Sequence, residues 1–214
     1  MKTKFLMALL ASAAVNVWAD GLQALEAFMK TAASARAEFT QVVTPPPREG
    51  QTARGKTSSG TFEFIRPERF RFSYKKPFEQ VIVADGQTLW LHDVDLNQVT
   101  ARKQAQALGS TPAALIAAAP DLRALQADFT LSAQPESEGL QWVLAVPKAR
   151  DGQLQSIRVG LRVLDKGVEL AVLDILDSFG QRSVLRFAKV ELNPRLPPDT
   201  FRFTPPKGAD VIRP

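Results

Sequence analysis

Few side chains in this 214-residue sequence have the type and spacing that catalysis demands. His92 is the only histidine and there is no cysteine, so two-histidine metal motifs and thiolate chemistry are both excluded. A serine relay would have to run through His92. That residue lies in an alternating run beside Trp90 and Asp93, with no nucleophile elbow in the chain, and reads as a surface or rim histidine. Asp93 with Asp95, and Asp174 with Asp177, are close in sequence but fall at strand ends, where carboxylates serve turns. Gly50, Gly55, Lys56 and Thr57 spell the phosphate-loop pattern GxxxxGK[ST]. That chemistry needs a buried strand before the loop and a helix after it. Here Pro45-Pro46-Pro47 precedes the match and an alternating strand follows it. No enzymatic activity, nucleotide, metal or cofactor is therefore expected.

One residue is out of keeping with its neighbours. Phe62 and Phe64 share a strand face with Arg66, while Thr61, Glu63 and Ile65 take the other. A guanidinium is always charged and carries several donors, so it is costly on an apolar face unless those donors are met. Next to Pro67, near a strand end, Arg66 either reaches the carbonyls of a covering helix or snorkels at the rim.

The elements around it are mostly strands. Gly60–Asp93 carries seven aromatics (Phe62, Phe64, Phe70, Phe72, Tyr74, Phe78 and Trp90) in four short alternating segments. Asp85-Gly86 marks a tight hairpin between Gln80–Ala84 and Thr88–Asp93. A short strand is expected around Gln98–Ala101. Further strands are expected at Arg36–Val43, Asp128–Ala133, Leu140–Val146, Gln155–Val163, Val168–Leu176, Arg182–Leu192 and Phe201–Phe203. Helices are expected only over Gly21–Ala35, capped by Asp20, over the small apolar run after Thr111-Pro112 that holds Leu115 and Ile116, and over Asp121–Leu125. Ten or eleven strands at hairpin spacing describe a strongly curved antiparallel sheet or incomplete barrel, with helices over one face or mouth. The face of Arg69, Arg71 and Lys75 reads as solvated surface.

The first residues read as a leader. Lys2 and Lys4 precede an apolar run over Phe5–Val15, and Val17-Trp18-Ala19 fits a signal-peptidase site. Cleavage is expected after Ala19, leaving 20–214 as a single exported domain. Loss of two lysines and no acid takes the formal charge from +5 to +3, too small an excess to argue nucleic-acid binding.

Taken in order, a set of short motifs resembles the periplasmic outer-membrane lipoprotein carrier family (LolA-type). They are Phe39-Thr40-Gln41, Gly60 with Phe62, Arg66-Pro67 with Phe70, Pro77, Asp85-Gly86 before Leu89-Trp90, and Gln98-Val99-Thr100. Thr111-Pro112, Asp177, Phe179-Gly180-Gln181 and Phe201-Arg202-Phe203-Thr204-Pro205-Pro206 with Gly208 complete the set. The resemblance spans essentially the whole exported chain.

It implies a mainly β, unclosed antiparallel barrel with an α lid, enclosing a hydrophobic cavity for lipoprotein acyl chains. Phe62, Phe64, Phe70, Phe72, Tyr74, Trp90, Leu115 and Ile116 are the expected cavity lining, and Arg66 the latch that ties the lid shut. It further implies a monomeric periplasmic chaperone that is loaded by an inner-membrane ABC transporter and unloaded by an outer-membrane receptor. The competing readings are a lipid- or lipoprotein-sensing regulator, another lipid-binding transport protein, or an enzyme on the same half-barrel.

Overall fold

The computed structural model describes residues 20–47, 53–107, 119–149 and 152–213. The expected leader, Leu115, Ile116 and the helix expected around them lie outside these residues. Asp20 caps α1 (Gly21–Thr31), its carboxylate accepting from Gln23 N at 2.9 Å. Ala24, Leu25, Phe28 and Met29 form the buried stripe of α1, and Glu26 and Lys30 pair on the solvent side. The helix stops short of the expected Ala35. From Ser34 onward the chain pairs on both sides as β1 (Ser34–Thr44), so tertiary pairing overrides helix continuation.

Strands β2 (Lys56–Ile65), β3 (Arg69–Lys76), β4 (Gln80–Ala84), β5 (Thr88–Asp93) and β6 (Gln98–Lys103) then form an antiparallel meander. The phosphate-loop lookalike thus leads into strand β2, with Lys56 and Thr57 paired to Val43 and Val42. After the short helices α2 (Gln104–Ala107) and α3 (Leu122–Asp128) come β7 (Phe129–Ser137), β8 (Leu140–Pro147), β9 (Leu154–Leu164), β10 (Gly167–Asp177) and β11 (Arg182–Leu192). A final strand, β12 (Asp210–Ile212), pairs parallel to β6.

The described strands make one 12-stranded sheet in the order β12-β6-β5-β4-β3-β2-β1-β11-β10-β9-β8-β7. Its two ends, β12 and β7, do not pair with each other, so the curved sheet stays unclosed. Helix α1 lies on the inner face against β7–β10, and its apolar stripe joins Phe62, Phe64, Phe70, Ile157, Leu161 and Leu173 in the main core.

The tail differs from expectation. Phe201–Phe203 is not a strand: Pro198–Phe201 is a 3-10 turn, as befits a stretch whose prolines lack the N–H a ladder needs. The tail crosses the outer face of β3–β6. Arg71 Nη1 donates to Thr200 O at 3.3 Å, and the Phe203 ring lies tilted against Trp90 and His92 with ring centres 5.5 and 5.8 Å away. His92 is consequently buried at 8 % exposure rather than a rim residue, and its Nε2 has no partner among the described residues.

Gly60 leaves no room for a side chain between β2 and β3. A Cβ there would stand 2.0 Å from the Ser73 carbonyl oxygen, beside an irregularity in the β2–β3 register. Gly60→Ala is expected to cost about 2–3 kcal/mol, because backbone rather than a pliable side chain must give way. Thermal unfolding with the parent chain as reference measures this.

Candidate functional site

The inner face is filled at one end and open at the other. At the filled end, β2 finishes at Ile65 opposite Ser34, and α1 covers the aromatic floor. The Phe28 ring meets Phe64 edge-on at 6.2 Å, and Phe62, Phe64 and Phe70 are each at most 3 % exposed. Toward the opposite end, where β1 reaches Thr44 and β11 begins, none of the described helices covers the sheet. A cleft of about 480 Å³ remains, within the range of roughly 300–1,000 Å³ typical of ligand pockets. Phe72, Tyr74, Ile82, Leu89, Leu91 and Leu185 supply its apolar wall, and Gln153, Asp177 and Gln181 stand on the turns at its mouth.

The expected lining therefore divides. Phe72 and Tyr74 face the open cleft, whereas Phe62, Phe64 and Phe70 belong to the inner-face core next to it. Phe62 bridges the two, stacked on Phe72 with ring centres 4.2 Å apart. Trp90 is a correction: it stands on the outer face, its Nε1 donating to Asp85 Oδ2 at 2.9 Å. The register gives the reason. Ile82 pairs with Leu91 and Ala84 with Leu89, which puts those leucines inside and turns Trp90, opposite Val83, outward. Leu89 and Leu91 are the inner residues that sequence reasoning missed. The Asp85-Gly86 hairpin carried the signal, because it sets which residues of β5 match the inner residues of β4.

Arg66 closes the filled end. Its Nε donates to Ala32 O at 2.9 Å, at the C-cap of α1, and its Nη1 donates to the carbonyl of Ala119. Its backbone N–H donates to Ala33 O at 2.8 Å. The guanidinium carbon lies 5.3 Å from the Phe28 ring centre and 5.2 Å from that of Phe64. One side chain on the sheet thus holds both the end of α1 and the segment that leads into α3. The carbonyls at a helix C-terminus are the negative end of its dipole, which suits a cation.

The hold is incomplete. Nη2 is buried and has no hydrogen-bond partner among the described residues. Burial pushes the Arg66 pKa down from 12.5 to about 10, so the group is still a cation at any ordinary pH and the closed state carries a desolvation penalty of about 3 kcal/mol. Two charge-assisted hydrogen bonds, worth roughly 1.5–3 kcal/mol each, offset that and leave a modest surplus.

Tyr74 donates its hydroxyl proton to Gln41 Oε1 at 2.9 Å, and burial pushes its pKa up to about 12. A raised folded value means that the phenol contributes full stability below pH 10 and loses it as pH rises toward 12. Tyr74 is the only tyrosine, so the phenolate absorbance band reads this residue alone. In the folded protein the band is expected to appear near pH 12, and in urea near about pH 10. Coincident titrations would contradict the buried placement.

An unclosed sheet with a cleft on its inner face, and helices tied across one end, is the architecture of a holder of apolar ligands. The family model for the outer membrane lipoprotein carrier protein LolA matches residues 30–204, and the chain belongs to that family. An outer-membrane lipoprotein carrier protein of Albidiferax ferrireducens is 69 % identical over 195 residues, covering 91 % of this chain and 92 % of that protein. One of Methylibium petroleiphilum is 52 % identical over 206 residues, covering 96 % of each. Among solved structures, a conserved protein of Thermus thermophilus superposes with a TM-score of 0.55 at 11 % identity, over 88 % of this chain and 95 % of that one. That likeness concerns the fold alone.

Proposed function

We propose that this chain is an exported periplasmic carrier, cleaved after Ala19, that shields the acyl chains of lipoproteins on their way to the outer membrane. The observation that carries the reading is the cleft on the inner face of the unclosed sheet, next to helices that Arg66 ties together. Membership of the lipoprotein carrier family supports the identity of the cargo. Burying a methylene is worth about 0.8 kcal/mol, so an acyl chain of some fifteen carbons costs on the order of 12 kcal/mol to hold in water. Transit through an aqueous compartment needs a protein wall around it.

Release needs the opposite property, since a carrier that binds too well keeps its cargo. Arg66 supplies it by stabilising the closed arrangement: cargo must displace the Ala32 and Ala119 carbonyls before α1 moves off Phe62, Phe64 and Phe70. The energy of that displacement subtracts from affinity. The closed form thus presents Phe72 and Tyr74 as an open portion of the cavity, with the other phenylalanines uncovered when the latch parts. In this scheme an inner-membrane ABC transporter loads the monomeric carrier and an outer-membrane receptor of higher affinity unloads it, with neither cofactor nor catalysis.

The test is release of lipoprotein from energised inner-membrane vesicles, with and without the purified exported chain. The expected result is a soluble equimolar complex in the supernatant only when the chain is added. Lipoprotein that stays with the vesicles in its presence contradicts the proposal.

A further inference from the structure

Besides Thr100 and Arg102 on β6 and the polar turns at its mouth, the cleft carries one line of side chains hydrogen-bonded to one another. Tyr74 Oη donates to Gln41 Oε1 at 2.9 Å, and Gln41 Nε2 donates to Ser183 Oγ at 2.7 Å. All three residues line the cleft. They come from β3, β1 and β11, and β2 lies between the first two strands. The reach across β2 is possible because Gly60 stands opposite both Phe39 and Tyr74, and its inner face carries no side chain. Tyr74 accordingly packs edge-on against Phe39 with ring centres 5.0 Å apart. From Tyr74 the line steps diagonally toward the mouth, since Gln41 pairs with Leu185 and Ser183 with Val43.

The line carries more donors than it uses. A phenol and a serine hydroxyl bring one donor each and a glutamine amide two, of which two are consumed within the line. Turning the Gln41 amide over exchanges which groups are spare without changing how many. In the orientation described, the spare donors are the Ser183 hydroxyl and the second Gln41 N–H. Donors in a partly buried wall are costly unless an acceptor meets them. An acyl chain is joined to its carrier molecule through an ester or amide carbonyl, a strong acceptor placed at the head of an apolar tail. An ether-linked or plain alkyl chain has no such group.

We propose that Tyr74, Gln41 and Ser183 form a carbonyl-reading subsite. Ser183 and Gln41 donate to the ester or amide carbonyls at the head of the acyl chains, and Tyr74 holds the Gln41 amide in place. The subsite sets the depth of entry, with the tail running inward over Phe72 and Ile82 and the polar head left at the mouth beside Gln181. It also selects acyl chains over alkyl chains of equal length. The inference rests on the carrier reading of the cleft and deepens it.

The test uses two synthetic peptides with an N-terminal glycerylcysteine, one bearing palmitoyl ester chains and the other hexadecyl ether chains. Their affinities for the parent chain, Ser183→Ala and Gln41→Leu are measured by titration calorimetry. The parent chain is expected to prefer the ester by roughly threefold to tenfold for each hydrogen bond made. Ser183→Ala is expected to lose most of that preference, and a melting temperature equal to the parent's shows that the variant is folded. Gln41→Leu is expected to lose the preference entirely. Equal binding of both peptides by the parent, or an undiminished ester preference in both variants, overturns the subsite and leaves the carrier reading standing. Failure of the parent to bind either peptide overturns the carrier reading, and the subsite with it.

Discussion

Arg66→Leu is expected to bind acylated peptide roughly tenfold more tightly than the parent chain and to pass it to an acceptor correspondingly more slowly. The argument is a balance of named terms. The guanidinium bonds to Ala32 O and to the Ala119 carbonyl, and it lies against the Phe28 and Phe64 rings. Against these stand a buried charge and an unpartnered Nη2. The surplus that Arg66 adds to the packing of α1 and to the Asn193 bonds at its C-terminal end is small, on the order of 1–2 kcal/mol, and cargo must overcome it as well. Leucine removes it and adds apolar surface to the floor. Stability should change little, because an imperfectly satisfied buried charge is often replaced by an apolar side chain at no net loss. Arg66→Lys separates charge from geometry: a single ammonium cannot span both carbonyls, so an intermediate affinity is expected. Equilibrium binding and acceptor-transfer rates, measured on the same preparations, check all three proteins.

Leu91→Trp is expected to lower acyl binding by tenfold or more while leaving the fold intact. Leu91 lines the cleft yet is 36 % exposed, so a larger ring has room to sit but occupies the volume that cargo needs. The converse holds at Phe70, which is fully buried: Phe70→Ala there costs about 3–5 kcal/mol of stability, and any effect on binding is secondary. A change that blocks binding without lowering the melting temperature distinguishes a cleft wall from a core, and Leu91 is placed to show it.

Alternation made the meander readable. Phe62, Phe64, Phe70, Phe72 and Tyr74 all point inward as their spacing requires, and Arg66 stands in step with them at the end of β2. What alternation does not carry is the layer a face is covered by. The resemblance puts Trp90 in the cavity, whereas the hairpin register turns it outward beneath Phe203. His92 shares that fate, because the tail that buries it arrives from more than a hundred residues away. The same distance hid β12, three residues long and paired in parallel to β6. The division of the inner face into a covered core and an open cleft was equally illegible. It depends on how far α1 extends over the sheet, and α1 ends at Thr31 because β1 claims the residues that follow.

The central claim is that acyl chains occupy the inner face of this sheet, and neighbouring residues of one strand test it. Val43 lines the cleft, whereas Val42, the residue before it, lies on the opposite face and is 36 % exposed. A photo-reactive side chain placed at each position in turn, in the otherwise unaltered chain, is irradiated with lipoprotein whose acyl chains carry a radiolabel. The account predicts a labelled adduct from position 43 and none above background from position 42. Equal labelling from both positions, or labelling from position 42 alone, would contradict it.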